Sequence, residues 1–379
     1  MTQLHNNYKD IFRALRLGFS AKKIAMMIWG YIIAMVGYCI LSYIAYLSAG
    51  WTFFEIWDAY RLFPVPESFP WFGWIIWFTG AIYALSVILT TGTAISKVTF
   101  EQLKGDDFFQ MTKAFKYAMK QIRSIILSPA MVILFILSII IAGLILSLLG
   151  AIPYFGEIFT GLLIIPAFAA SLFIVYLLVI LLFVLIFAPA IVATTGTDTF
   201  DTLFEVFSMV NDQPARLIWY TVIVGFLSKV GMIILSAFFR IATNLGTNIL
   251  SLFMGSKIID VIYNAASTFK ITIPYWCPLL WTRWAETYLN TLVGSTIFAP
   301  PSYIHINIAM LIATILVAIA YYLLILFVIS FGTTIWFNGA TLIYLIIIKK
   351  KDDRNLLQLN EETITTADEK AAEPQVKTE

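Results

Sequence analysis

Residues 124–156 read SIILSPAMVILFILSIIIAGLILSLLGAIPYFG and contain no Asp, Glu, Lys or Arg. A helix needs about 20 apolar residues to cross the hydrocarbon of a bilayer, and this run is longer. Its apolar residues are continuous and do not alternate with polar ones, as they would in a strand of a membrane barrel. The run therefore predicts a membrane-spanning helix.

Five further apolar segments occur in the chain. Residues 24–50, 69–96 and 158–197 are also free of charge, residues 217–239 include Lys229, and the last segment lies within residues 306–348. Of the whole chain, 60% is hydrophobic and 12% is charged, which is outside the range of soluble domains. We predict an all-α integral membrane protein with one polytopic domain, residues 1–348, and about six spans, at residues 24–49, 70–95, 125–149, 160–187, 217–239 and 306–331.

Basic residues at both ends of this domain predict its orientation. They precede the first span and follow the last one, as Lys9, Arg13, Arg16, Lys22, Lys23, Lys349, Lys350 and Lys351. Because positive charge favours the cytoplasmic side, we expect both termini in the cytoplasm and the chain in the inner, cytoplasmic membrane of the cell. An even number of crossings follows. Six spans then leave residues 332–348 as an interfacial or cytoplasmic extension.

A short motif precedes three of the spans. Asp-x-Phe occurs at residues 10–12, 107–109 and 198–200, and each copy opens an amphipathic stretch that ends in basic residues before a span. The shared context favours an internal repeat. The alternative is that any cytoplasmic helix before a span needs similar residues. The repeat predicts three helical hairpins, each preceded by a cytoplasmic amphipathic helix.

The second of these stretches is basic. Lys113, Lys116, Lys120 and Arg123 fall on one helical stripe, next to an apolar face formed by Phe108, Met111, Phe115, Met119 and Ile122. This pattern is typical of a helix that lies on anionic lipid headgroups. We predict that the four basic residues bind lipid headgroups or dock against another helix.

The third stretch is acidic. Asp198, Asp201, Glu205 and Asp212 share one stripe beside an apolar face. Anionic lipid repels such a stripe, so we predict that these residues dock a basic partner or pack beside the basic helix of the second stretch. An ordinary solvated face is the alternative.

Lys229 is the one charged residue deep inside a predicted span. A lone ammonium there costs about 2.5 to 3.5 kcal/mol on the insertion scale, which makes the residue a candidate for an intramembrane function. The alternative is that its long side chain reaches the outer headgroups.

Two segments lie outside the predicted spans. Residues 240–301 form an exterior segment between spans five and six, and this segment is rich in aromatic residues such as Trp276, Trp281 and Trp284. Residues 349–379 form a basic collar followed by an acidic tail, for which we predict disorder.

The sequence contains no arrangement typical of catalysis. Neither a Walker motif, a Gly-x-Ser-x-Gly motif nor a His-Glu-x-x-His motif occurs. The two histidines, His5 and His305, fall on opposite sides of the membrane in the predicted topology and cannot share a metal ion. We therefore expect no enzymatic activity, no cofactor, no metal ion and no nucleic acid partner.

The chain resembles a broad set of uncharacterised prokaryotic membrane proteins, similar to the multi-helix membrane domain fused to some glycerophosphodiester phosphodiesterases. The resemblance rests on PAIV at residues 189–192, GTDTF at 196–200 and QPAR at 213–216. It implies an architecture and no activity, because the catalytic domain of those enzymes is missing here.

These observations lead to two expectations about function. The first is a non-enzymatic membrane scaffold or complex subunit that organises lipid or partner proteins through its cytoplasmic helices and exterior aromatic segment. Its expected partners are the bilayer, anionic lipid, and another protein or a second copy of the chain. The alternative is a transporter component for a small molecule or lipid, with Lys229, the helix near Pro166 and the His305 region along its path.

Overall fold

A computed structural model describes residues 7–60, 64, 66, 69–266 and 307–358. All regular secondary structure in these ranges is helical. In chain order the helices are α1 (Tyr8–Ile11), α2 (Arg13–Gly18), α3 (Ala21–Ser48), α4 (Phe53–Tyr60), α5 (Trp71–Lys104), α6 (Met111–Lys120), α7 (Ile122–Gly150), α8 (Phe155–Thr195), α9 (Thr199–Asp212), α10 (Pro214–Met254), α11 (Ser256–Ala266) and α12 (Ile308–Asp352).

Six of these helices, α3, α5, α7, α8, α10 and α12, are long and apolar enough to cross a membrane. They contain between 28 and 45 residues each. The prediction of a helical, multi-pass membrane protein with about six spans is confirmed at this level.

Several of the six helices extend beyond the predicted spans. α12 has 45 residues and passes through Gly332 without a break, so it is about 67 Å long, roughly twice the thickness of the hydrocarbon. α8 likewise includes both Pro166 and Pro189. α10 continues past Arg240 to Met254, which makes the first part of segment 240–301 helical. A charged residue ends an apolar run but does not end a helix, because its side chain can extend towards water.

The chain divides into two compact units, which we describe separately. The first unit comprises Met1–Ala14, Gly92–Val224 and Phe337–Glu379. The second unit comprises Leu15–Thr91 and Gly225–Trp336. The helices α6, α7, α8 and α9 belong entirely to the first unit.

Close helix packing in the second unit depends on glycine. A Cβ atom at Gly37 of α3 would lie 2.0 Å from the ring of Tyr83 in α5, and one at Gly30 would lie 2.5 Å from the hydroxyl of Thr91. Small residues let membrane helices approach closely and gain dispersion contacts, because lipid offers no hydrophobic driving force between helices. The Nε1–H of Trp77 also donates to the Tyr38 hydroxyl, at 3.1 Å.

The first unit contains a fully buried hydrogen bond between two helices. The side chains of Thr99 in α5 and Asn338 in α12 hydrogen-bond to each other, and both are completely buried. Further along α12, residues 340–348 are buried without interruption. In the same unit, α9 packs against both α7 and α8.

Candidate functional site

The link between α8 and α9 follows from its sequence, Gly196-Thr197-Asp198. Gly196 ends α8 with φ +70°, a left-handed conformation that glycine adopts without strain, and its N–H donates to the Val192 carbonyl at 3.0 Å. Asp198 begins α9, because its carboxylate accepts the backbone N–H of Asp201 at 3.0 Å. One residue of the predicted acidic stripe, Asp198, is therefore the N-cap of α9.

Two side chains attach α6 to this link and to the last turn of α8 before it. The Tyr117 hydroxyl donates to the Val192 carbonyl at 2.7 Å, and the Gln121 Nε2 donates to the Gly196 carbonyl at 3.3 Å. The same face of α6 buries Ala114 and Ala118. A Cβ atom at position 196 would lie 3.2 Å from the Tyr117 hydroxyl. Glycine at position 196 therefore allows both the left-handed turn and the close approach of α6.

The opposite side of α6 carries positive charge. Lys113, Lys116 and Lys120 of α6 are exposed there, as is Arg123 in the first turn of α7, and none of the four makes an ion pair with another residue that the structure describes. Exposed apolar side chains flank them, including Met119, which is 57% exposed. We call the four basic residues the basic face.

The orientation of α9 is set by one buried stripe, Thr202, Val206 and Met209. On the opposite side, Phe200 is 55% exposed and Phe204 is 70% exposed. Asp201 and Asp212 are also exposed; Asp201 lies within one turn of both phenylalanines, and Asp212 is the last residue of the helix, about two turns beyond Phe204. We call Phe200, Phe204, Asp201 and Asp212 the acidic face.

The cation that lies near the acids of α9 comes from α12. The Nζ atom of Lys351 is 4.0 Å from Glu205 Oε1 and 4.0 Å from Asp212 Oδ2. Lys351 is also 3.6 Å from its neighbour Asp352. Within the described chain, therefore, the end of α12 meets the acidic stripe, while the basic face of α6 points elsewhere.

Glu205 is the most enclosed acid of this stripe. Its Oε1 atom is buried without a hydrogen-bond partner among the described residues. Burial raises the pKa of Glu205 above its usual value of 4.5, Lys351 and Arg354 act against this rise, and Asp352 and Asp201 add to it. The carboxylate is therefore held in a site that disfavours its charged form.

We expect the variant Glu205→Gln to weaken the pH dependence of stability. A raised folded-state pKa means that this group's contribution is fully present below pH 4.5 and is lost as the pH rises through the folded-state pKa. Glutamine carries no charge, so the variant should match or exceed the wild type at neutral pH and differ little in acid. Thermal unfolding in detergent between about pH 4 and about pH 8 measures this. Parallel stability curves for the two proteins would contradict the assignment.

A buried ion pair lies beside Tyr117, on the face of α6 that does not carry the basic residues. Lys97 of α5 is only 7% exposed, and its Nζ atom is 3.0 Å from Glu101 Oε1 and 4.6 Å from the centre of the Tyr117 ring. A cation over an aromatic face is attracted to it. Neither Lys97 nor Glu101 is among the residues predicted from the sequence. The i, i+4 spacing of Lys97 and Glu101 at the end of an apolar run is a signal that could have found them.

Two lysines of the second unit differ in exposure. Lys229 is exposed on α10, so its side chain lies on the outside of that unit. Lys23, one of the basic residues used to predict orientation, is instead completely buried, and its Nζ donates to the Leu17 carbonyl at 3.4 Å. The part of the chain that the structure describes contains no cluster of His, Cys, Asp and Glu able to hold a metal ion.

Several predicted features lie outside the described residues. These are His5, His305, the remainder of the exterior segment at residues 267–301 with its three tryptophans, and the acidic tail from residue 359 onwards. No family model, curated protein or solved structure matches the chain. The resemblance to the membrane domain of phosphodiesterases therefore stays a prediction.

Proposed function

We propose that this protein is a non-enzymatic membrane scaffold or subunit of a membrane complex. The observation that supports this most directly is the exposure of two oppositely charged helix faces at one end of the α7–α8 pair. Both are attached to the end of α8: α6 contacts its last turn and cap through Tyr117 and Gln121, and α9 follows from Asp198. Charged, partly aromatic surfaces of this kind are suited to binding other molecules.

The proposal includes the topology predicted from the sequence. Three helical hairpins lie in the inner, cytoplasmic membrane, with both termini and the helices α6 and α9 in the cytoplasm. Each hairpin follows an amphipathic helix, and the basic collar at Lys349, Lys350 and Lys351 stays on the same side. The two charged faces are then available to cytoplasmic partners and to the inner leaflet.

A second candidate function is a transporter component, which buried polar side chains on α12 favour. In the first unit, Asn338 and Thr341 lie on one face of α12, and each is completely buried. Polar side chains inside membrane helices often mark the path of a substrate. Hydrogen bonding that holds helices together explains the same side chains, and the Thr99–Asn338 pair is of this kind.

Purification of the tagged, full-length protein in mild detergent, followed by mass spectrometry, tests the two functions. We expect protein partners or further copies of the chain in fixed stoichiometry. Chemical cross-links should map to α6 or α9. A single copy without protein partners would contradict the scaffold proposal. Solute uptake into proteoliposomes that is lost in Asn338→Ala would then favour the transporter.

A further inference from the structure

The basic face of α6 and the acidic face of α9 are complementary in charge and are carried by the same chain. We infer that the basic face of one copy binds the acidic face of a second copy. This inference rests on the proposed scaffold function and names its partner. It is argued from the position, charge and exposure of the two faces, which all belong to the first unit.

Position is the first argument. Gln121, just after the last residue of α6, donates to the carbonyl of Gly196, and Asp198 begins α9 two residues later. Ser128 of α7 also lies 3.4 Å from the carbonyl oxygen of Thr199. Both faces are therefore at the same end of the α7–α8 pair. Two copies lying side by side in one membrane present them at the same level.

Symmetry is the second argument. In a two-fold dimer, a contact between one surface of the first copy and a different surface of the second copy occurs twice. The basic face would then meet the acidic face at two equivalent places. Because each chain carries one face of each sign, such a dimer is closed and leaves neither face without its complement.

Apolar side chains add affinity to this contact that charge alone would not provide. Exposed ion pairs contribute little to affinity, although they select the partner and its orientation. Phe200 and Phe204 project from the acidic face, and Met119 flanks the basic face, all three at least 55% exposed. Methionine sulfur packs favourably against aromatic rings. The two phenylalanines and Met119 therefore provide the apolar part of the proposed interface.

Anionic lipid is the competing occupant of the basic face. It accounts for Lys113, Lys116, Lys120 and Arg123, but it is repelled by Asp201 and Asp212. It therefore does not account for the exposed rings of Phe200 and Phe204 beside Asp201, on a helix whose Asp212 already lies 4.0 Å from Lys351 of the same chain. A second copy accounts for both faces with one contact, which is the reason for preferring it.

A charge-swap experiment with full-length protein tests the inference. The first variant carries Lys116→Glu and Lys120→Glu, and the second carries Asp201→Lys and Asp212→Lys. Each protein is produced with two different tags, and the recovery of one tag with the other is measured in detergent. We expect wild-type copies to associate, and each variant to associate with itself about tenfold or more weakly, because like charges then face each other at both contacts.

The mixture of the two variants is the decisive sample. Its copies again bring opposite charges together at both contacts, so we expect association close to that of the wild type. Lys257→Glu, at an exposed lysine of α11 in the second unit, is the matched control and should leave association unchanged. Circular dichroism and thermal unfolding of each variant verify that it is folded.

Three results would overturn the inference. The first is a mixture of the two variants that associates as weakly as each variant alone. This result leaves the scaffold proposal intact if wild-type copies or other proteins still co-purify. The second is wild-type protein that shows no self-association. The third is loss of bound phosphatidylglycerol in the first variant without loss of self-association, which assigns the basic face to lipid.

Discussion

Replacing Lys97 by Met is expected to lower the free energy of unfolding by about 3 to 5 kcal/mol. The substitution keeps a long apolar side chain but removes the cation that lies 3.0 Å from Glu101. The Glu101 carboxyl group, whose side chain is only 14% exposed, is then left in a largely dehydrated place without its partner. The contact of the ammonium with the Tyr117 ring is lost as well. Denaturant titration in mixed micelles, followed by circular dichroism, measures the change.

Two further variants separate the ion pair from a general effect of removing charge. Lys113→Met removes an exposed lysine of the basic face and should change stability by less than about 0.5 kcal/mol. The double variant Lys97→Met with Glu101→Gln removes the unpaired carboxylate too, and we expect it to be more stable than Lys97→Met alone. Equal stability of Lys97→Met and the wild type would show that the pair contributes nothing.

A second large effect is expected at the turn between α7 and α8, where Gly156→Ala should destabilise the protein by about 1 to 3 kcal/mol. A Cβ atom at this position would lie 2.1 Å from the carbonyl oxygen of Gly150. That atom belongs to the backbone, so no side-chain rotation relieves the overlap. The N–H of Gly156 also donates to the Ile152 carbonyl at 2.7 Å, and movement of the turn would disturb this bond. The melting temperature in detergent reports the loss.

Gly161→Ala is the matched control for this position. Gly161 is in the same helix, α8, and a Cβ atom there would meet nothing within 4 Å. Alanine is the better helix former, so this variant should be neutral or more stable by up to about 1 kcal/mol. If both variants behaved alike, the close approach at Gly156 would not be the cause.

The six long helices could be predicted from the sequence because length and continuous apolarity are local properties of the chain. The residues at which these helices begin and end were harder to predict. Arg240 interrupts an apolar run, yet α10 continues through it, since helix formation depends on backbone hydrogen bonds and not on where the hydrocarbon ends. For the same reason Gly332 does not divide α12.

The burial of individual charged side chains could not be predicted from local sequence patterns. In the sequence, Lys23 and Lys97 look like any other lysine near the end of a span, but both are buried in the structure. The proximity of Lys351 to Glu205 and Asp212 is of the same kind, because it depends on how α12 returns to α9. By contrast, the exposed basic side chains of α6 share one stripe because helical periodicity alone specifies it.

The link at Gly196 has a mechanical consequence. The carbonyls of Val192 and Gly196 that hold α6 belong to the last turn and cap of α8, and α9 begins three residues beyond that cap. A rotation of α8 about its axis would therefore move the basic and the acidic face together. A change that rotates α8 within the bilayer would then move both faces at once. Binding of a partner to either face would in turn favour one rotation of α8.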